Sequence, residues 1–288
     1  MTDQDNFQVA QQLIGRSISP AAARASRQLC VDTYGRPHPL PLIASLADQD
    51  FGTHARHKMD VYFPKRPPRG IVLFVHGGGY TSGDKTLDDG LYHALTAQWL
   101  NELDLIAVTM NYRLAPGNTW PDAAQDVLAA HRHLSTRNLL PEPVRKLPLI
   151  WWGHSAGASH VADALALATC EQERPSAALL MSGTYDLSLE PDRPSQQQYY
   201  GSNGLADRSS LAALAQIKTP LCLIHAELDP AFFLMQKTRL ADARRQHQQT
   251  DTLLLAKGHN HFTQLYHLGL HESSFSLRLK HFLQHRLS

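Results

Sequence analysis

A serine stands between two glycines in Gly153-His154-Ser155-Ala156-Gly157, directly after the apolar run PLIWW (148–152) and before a stretch of small residues. Glycine on either side permits a sharp turn in which larger side chains would strike neighbouring backbone, and the turn lifts the hydroxyl clear of its strand. The serine then falls at a helix amino terminus, where aligned peptide dipoles stabilise developing negative charge. That setting points to a nucleophilic serine and acyl-transfer chemistry. An oxyanion formed in such a step needs N–H donors, and His76-Gly77-Gly78-Gly79-Tyr80, after the run IVLFV (71–75), offers bare backbone for them. Gly78 and Gly79 are the expected loop donors, beside the N–H of Ala156, the residue after the nucleophile. The glycine run lacks the Gly-Lys-Ser/Thr ending of a phosphate-cradling loop.

A serine hydroxyl is a poor nucleophile without a base, and a histidine base needs a carboxylate to hold its tautomer. When serine, acid and histidine follow in that chain order, the acid lies downstream of Ser155. Asp229 follows the run PLCLIHA (220–226) in the turn AELDP and is the first choice; Asp186, after AALLMSG (177–183), is the runner-up, and Glu227 a third. The histidine comes from KGHNHF (257–262), after TLLLA (252–256). It offers both His259 and His261, and spacing leaves the two equivalent. His131, His133 and His281 occupy helical positions and read as surface groups.

These residues must be carried by a frame, and the chain supplies a regular one. Strand-like runs at 59–64, 71–75, 105–112, 148–152, 177–183, 220–226 and 252–256 alternate with helical stretches near 87–101, 121–137, 156–170, 231–247 and 270–286. Short apolar strands between longer helices predict an α/β fold: a mostly parallel central sheet with helices on both faces. Ligands of such sheets bind beyond the carboxyl ends of the strands, where Ser155, Asp229 and KGHNHF all fall. Residues 1–50 read as a helical, Ala- and Gln-rich cap or packing segment, broken at Pro20 and again at Pro37, Pro39 and Pro41; residues 51–288 read as the catalytic domain. Residues 186–210, rich in Ser, Gln, Pro and Asp, read as a loop or lid excursion.

Composition removes other classes. The 288 residues are 43% apolar and 18% charged, a globular balance. Twenty-seven Lys and Arg offset 26 Asp and Glu to a formal charge of +1, with no block of either sign, so neither nucleic acid nor an anionic membrane is an expected partner. The acidic, polar start MTDQDNFQVAQQLIG argues against a secretory signal, and no run is long and apolar enough to span a bilayer. Cys30, Cys170 and Cys222 are odd in number and lack CxxC spacing, which fits reduced thiols and a cytoplasmic protein. No metal or organic cofactor is expected.

The segments MDVYFP, HGGGYTSGDK, NYRLAP, GHSAGA, SGTYDL, AELDP and GHNHF span residues 50 to 270 and together resemble α/β-hydrolases with an HGGG oxyanion loop, related to hormone-sensitive-lipase-type esterases. The chain looks closest to the branch of kynurenine formamidase (arylformamidase) and feruloyl/acetyl-xylan esterases. The resemblance implies His261 as the base, because in that branch the base precedes a phenylalanine, here Phe262; it supports Asp229 and implies a homodimer. The chain departs from the lipase-type pattern in carrying His154 where Asp is usual and Asn260-His261-Phe262 where His-Gly-Phe is usual. It departs from the formamidases in carrying Tyr80 where Trp often follows the glycines. The implied activity is a serine carboxylesterase acting on small acyl groups, with hydrolysis of an N-formyl-kynurenine-like amide as the alternative. Tyr80, His154, Trp120, Phe232 and Phe262 are the residues expected around the substrate, with Tyr199, Tyr200 and Phe233 as further aromatic candidates.

Overall fold

A computed structural model describes residues 3–35, 45–86, 91–136 and 139–287. Eight strands form one sheet: β1 (Leu46–Asp50), β2 (Lys58–Tyr62), β3 (Gly70–Val75), β4 (Leu105–Met110), β5 (Leu149–His154), β6 (Ala177–Met181), β7 (Leu221–Leu228) and β8 (Thr252–Asn260). Their spatial order is β1-β2-β4-β3-β5-β6-β7-β8. The first two strands pair antiparallel at one edge, and β4 through β8 run parallel. The chain thus has the expected α/β-hydrolase architecture.

The central strands are buried on both faces, so they read as unbroken apolar runs while their side chains still alternate between two cores. Leu73 and Trp151 enter one core with Val127 and Val161 from helices Asp122–Thr136 and Ala156–Leu167. Phe74 and Trp152 enter the other, where their rings meet edge to face 5.6 Å apart. That second core also takes in helices Leu91–Asn101 and Ser274–His285, and with them Phe7 and Cys30 from the amino-terminal segment. Phe7 and Cys30 belong to helices Asp3–Ile14 and Pro20–Tyr34, the second capped by the Ser19 side chain with Pro20 in its first turn. Proline there lacks only an N–H that would have no helical partner, so it starts this helix and ends the break before it.

Several expectations change. β1 carries LADQD, a largely exposed edge strand, and therefore lacks the apolar run that marks the others. The 186–210 excursion contains helices Pro194–Tyr200 and Leu205–Arg208, and Gln196, Tyr199 and Tyr200 are buried. His131 is no surface group: it is 4% exposed, and the Trp151 indole N–H donates to its Nδ1 at 3.2 Å. The breaks at Pro37, Pro39 and Pro41 and the start of the helix near 87 lie outside the described residues. The three cysteines are unpaired, and among the described residues no helix is long and apolar enough to cross a membrane.

Candidate active site

Between β5 and the helix Ala156–Leu167, Ser155 takes φ 55° and ψ −122°, a backbone conformation rare for a residue with a side chain. The flanking glycines permit it by close approach. A Cβ on Gly153 would lie 2.4 Å from the Gly157 carbonyl oxygen, and one on Gly157 would lie 2.1 Å from that of Val75. The turn is therefore wedged against the end of β3, which delivers the glycine loop to the same point. A Cβ on Gly77 would stand 3.1 Å from the Ser155 Cβ. Gly77, Gly78 and Gly79 line one cavity with Ser155, and Ala156 follows at the first position of the helix.

His261, just past β8, closes on the serine: its Nε2 lies 2.9 Å from Ser155 Oγ and its Nδ1 2.7 Å from Asp229 Oδ1. Asp229, just past β7, is 2% exposed. Burial pushes its carboxyl up. The hydrogen bond and charge of His261, the Ser182 hydroxyl at 2.6 Å and the Ala226 N–H at 2.7 Å outweigh that and hold it below the usual carboxylate range. Asp229 is thus equipped to stay ionised and to fix the imidazole with Nδ1 protonated and Nε2 facing the serine. The alternatives point elsewhere. Asp186 pairs with Arg239, Glu227 accepts from the Gly258 N–H at 2.7 Å, and His259 is buried against His267, with ring centroids 4.1 Å apart.

The histidine loop is held from three sides. His154 Nε2 lies 2.9 Å from the His261 carbonyl oxygen, and Gln264 Nε2 donates both to that oxygen, at 3.0 Å, and to the Ser182 hydroxyl, at 2.8 Å. Burial first, and then the neighbouring His261, lower His154 to about 3, so this histidine is neutral and donates to the carbonyl at neutral pH. The Asn260 side-chain oxygen accepts from the Phe262 and Thr263 N–H groups, both at 3.0 Å, and its amide donates to Ser26 of helix Pro20–Tyr34 at 2.9 Å. The Phe233 ring stacks on the imidazole, 4.7 Å between centroids and 26° between planes.

The cavity beside Ser155 measures about 450 Å³. Of the residues expected around a substrate, His154 and Phe262 line it. Tyr80, Trp120 and Phe232 do not. Tyr80 is 3% exposed, donates to Ser159 Oγ and stacks on Tyr199, so it serves the core. Trp120 packs beneath Arg208, and Phe232 beneath Arg193. Tyr199 and Tyr200 are core residues with Tyr80. Sequence reasoning missed Ser182, Gln264 and the cavity wall that Pro20, Ala23, Arg24 and Arg27 supply from helix Pro20–Tyr34. Ser182 had a signal in its place at the carboxyl end of β6, between β5 and β7; the helix wall had none.

Residues 72–262 match the model of a family described as alpha/beta hydrolase fold, and the chain belongs to that family. It is 38% identical over 78 residues to an esterase, LipI, of Mycobacterium tuberculosis, covering 25% of this chain and 22% of that protein. It is 28% identical over 174 residues to an ethyl acetate hydrolase of Pseudomonas putida, covering 58% of this chain and 52% of that protein. In both cases the match spans less than two thirds of the relative's length. Among solved structures, an esterase of the bacterial hormone-sensitive lipase family superposes with a TM-score of 0.72 at 19% identity, covering 99% of this chain and 98% of that one. An esterase B from Lactobacillus rhamnosis superposes at 0.71 and 17% identity, covering 100% and 96%.

Proposed function

We propose that the protein is a serine carboxylesterase that cleaves esters of small acyl groups through an acyl-enzyme, with residues 51–288 as the catalytic domain and with β1 and helix Pro20–Tyr34 adding a sheet edge and a cavity wall to it. The hydrogen-bonded line from Ser155 through His261 to Asp229 carries this reading. As Ser155 Oγ attacks the ester carbonyl, His261 Nε2 takes its proton, and the N–H groups of Gly78, Gly79 and Ala156 receive the oxyanion. His261 returns the proton to the departing alcohol; water then attacks the acyl-enzyme by the same route and frees the acid. The similarity to the esterase LipI and to an ethyl acetate hydrolase supports ester cleavage. The unpaired thiols support a cytoplasmic setting.

The test is turnover of p-nitrophenyl acetate, butyrate and octanoate by the wild type and Ser155→Ala. The variant should fold and lose at least about a thousandfold in kcat; wild-type rates in that variant would sink the assignment. The formamidase reading keeps the same machinery and rests on the motif set of that branch. N-formyl-kynurenine turned over faster than every ester would replace the esterase reading with it.

A further inference from the structure

Four charged residues line the cavity that holds Ser155 and His261: Arg24, Arg27, Arg193 and Asp84. The single acid is already engaged. Asp84 accepts from the Thr86 N–H and hydroxyl, each at 3.0 Å, and from the Asn111 amide at 2.8 Å, and it lies 3.7 Å from the Arg56 guanidinium. Arg24 and Arg193, by contrast, have no carboxylate partner among the described residues.

Their placement is built by the fold. Arg24 and Arg27 sit three residues apart on helix Pro20–Tyr34 and so share the face that Pro20 and Ala23 also turn to the cavity. The Arg27 guanidinium lies 5.9 Å over the Tyr266 ring. Arg193, which lines the same cavity from the segment just before helix Pro194–Tyr200, lies 5.0 Å over the Phe232 ring and 5.3 Å over that of Phe233, the ring that stacks on His261. Arg193 is therefore one aromatic ring removed from the imidazole. A guanidinium that rests over an aromatic ring still has its N–H fork for a planar, bidentate acceptor, and a concave wall of one sign concentrates the opposite charge.

We propose that the natural substrate is an ester bearing a second, free carboxylate, and that Arg193 and Arg24 bind this carboxylate while Ser155 attacks the ester carbonyl. The proposal rests on the esterase reading and adds the substrate's charge to it. A neutral lipid-like ester would leave the two guanidinium groups unanswered in a half-closed cavity.

The test compares kcat/KM within matched pairs: mono-p-nitrophenyl adipate against p-nitrophenyl hexanoate, which puts the carboxylate on the acyl side, and carboxyphenyl butyrate against phenyl butyrate, which puts it on the alcohol side. The wild type should prefer the anionic member of at least one pair by about tenfold, the size of one charge-assisted hydrogen bond. The double variant Arg24→Gln/Arg193→Gln should lose that preference, whereas Arg193→Lys should retain part of it. A ratio within one pair is unmoved by a general loss of folded protein. Hydrolysis of the esters without such a preference, or a preference that survives in the double variant, overturns this inference alone. Hydrolysis of none of the four overturns the esterase reading and this inference with it.

Discussion

Asp229 and Asp163 are both buried, at 2% and 3% exposure, yet they are held in opposite charge states. Asp229 ends β7 and meets the His261 ring, the Ser182 hydroxyl and the Ala226 N–H, so its carboxyl stays below the ordinary range despite burial. Asp163 lies two turns beyond Ser155 on helix Ala156–Leu167, where burial outweighs the lowering by the Tyr200 hydroxyl, at 2.7 Å, and the carboxyl is raised to about 8. Burial penalises both anions alike, and the supply of donors and positive charge decides which is kept. The surroundings of Asp229 can hold the imidazolium that forms as the serine attacks; those of Asp163 hold a neutral acid among tyrosines, as part of the packing.

The comparison breaks if exchanging each acid for its amide has similar consequences. Asp229→Asn should cost about a thousandfold or more in kcat on p-nitrophenyl butyrate, because the amide no longer holds the tautomer that presents a basic Nε2. Asp163→Asn should leave that rate within a factor of about three. A large loss from the second variant would mean that the two acids act together.

Stability should move the other way. The folded chain keeps a proton on Asp163 up to a pH of about 8, whereas the unfolded chain releases it near 3.8, so this group removes stability as pH rises between those values. Asp163→Asn abolishes that dependence. Thermal melts at pH 5 and pH 8 should show the variant gaining on the wild type by roughly 4 kcal/mol more at the higher pH. No gain would place an ionised carboxylate at Asp163.

Ser182→Ala is the smallest and sharpest test. Asp229 contributes stability that is present above its unfolded value and is lost as pH falls through its lowered folded value. Removing one donor raises the folded value, so unfolding on acidification should begin at a higher pH, with a loss of about 1 kcal/mol at pH 7. Acid titrations followed by tryptophan fluorescence report the shift, and an unchanged acid midpoint would show that the remaining donors suffice.

The parallel strands inside the sheet were legible because they are buried on both faces and so read as short apolar runs, and β8, although Leu253 and Leu255 are exposed at the sheet edge, carries the apolar run TLLLA as well. Ser155 and the glycine loop were legible because the turns that carry them tolerate only glycine at close approach, which writes a local signature into the chain. Asp229 was legible from its place just past an apolar strand. β1 was not, because an exposed edge strand has no apolar face to betray it, and the helices within 194–208 are too short to show a period.

What the chain alone determined is local: which segments become strand or helix, where the backbone must turn tightly, and which side chains are chemically able to react. Spacing left His259 and His261 equivalent and only the family resemblance favoured His261; the tertiary structure shows the physical reason, since His259 packs against His267 and Phe7 and lies 3.3 Å from the Thr263 hydroxyl. Only the tertiary structure placed Ser182 and Phe233 around Asp229 and His261, and set helix Pro20–Tyr34 so that it brings Arg24 to the cavity that Arg193 also lines. Such contacts join residues tens to hundreds of positions apart, and no local pattern of residue types encodes a neighbour that distant.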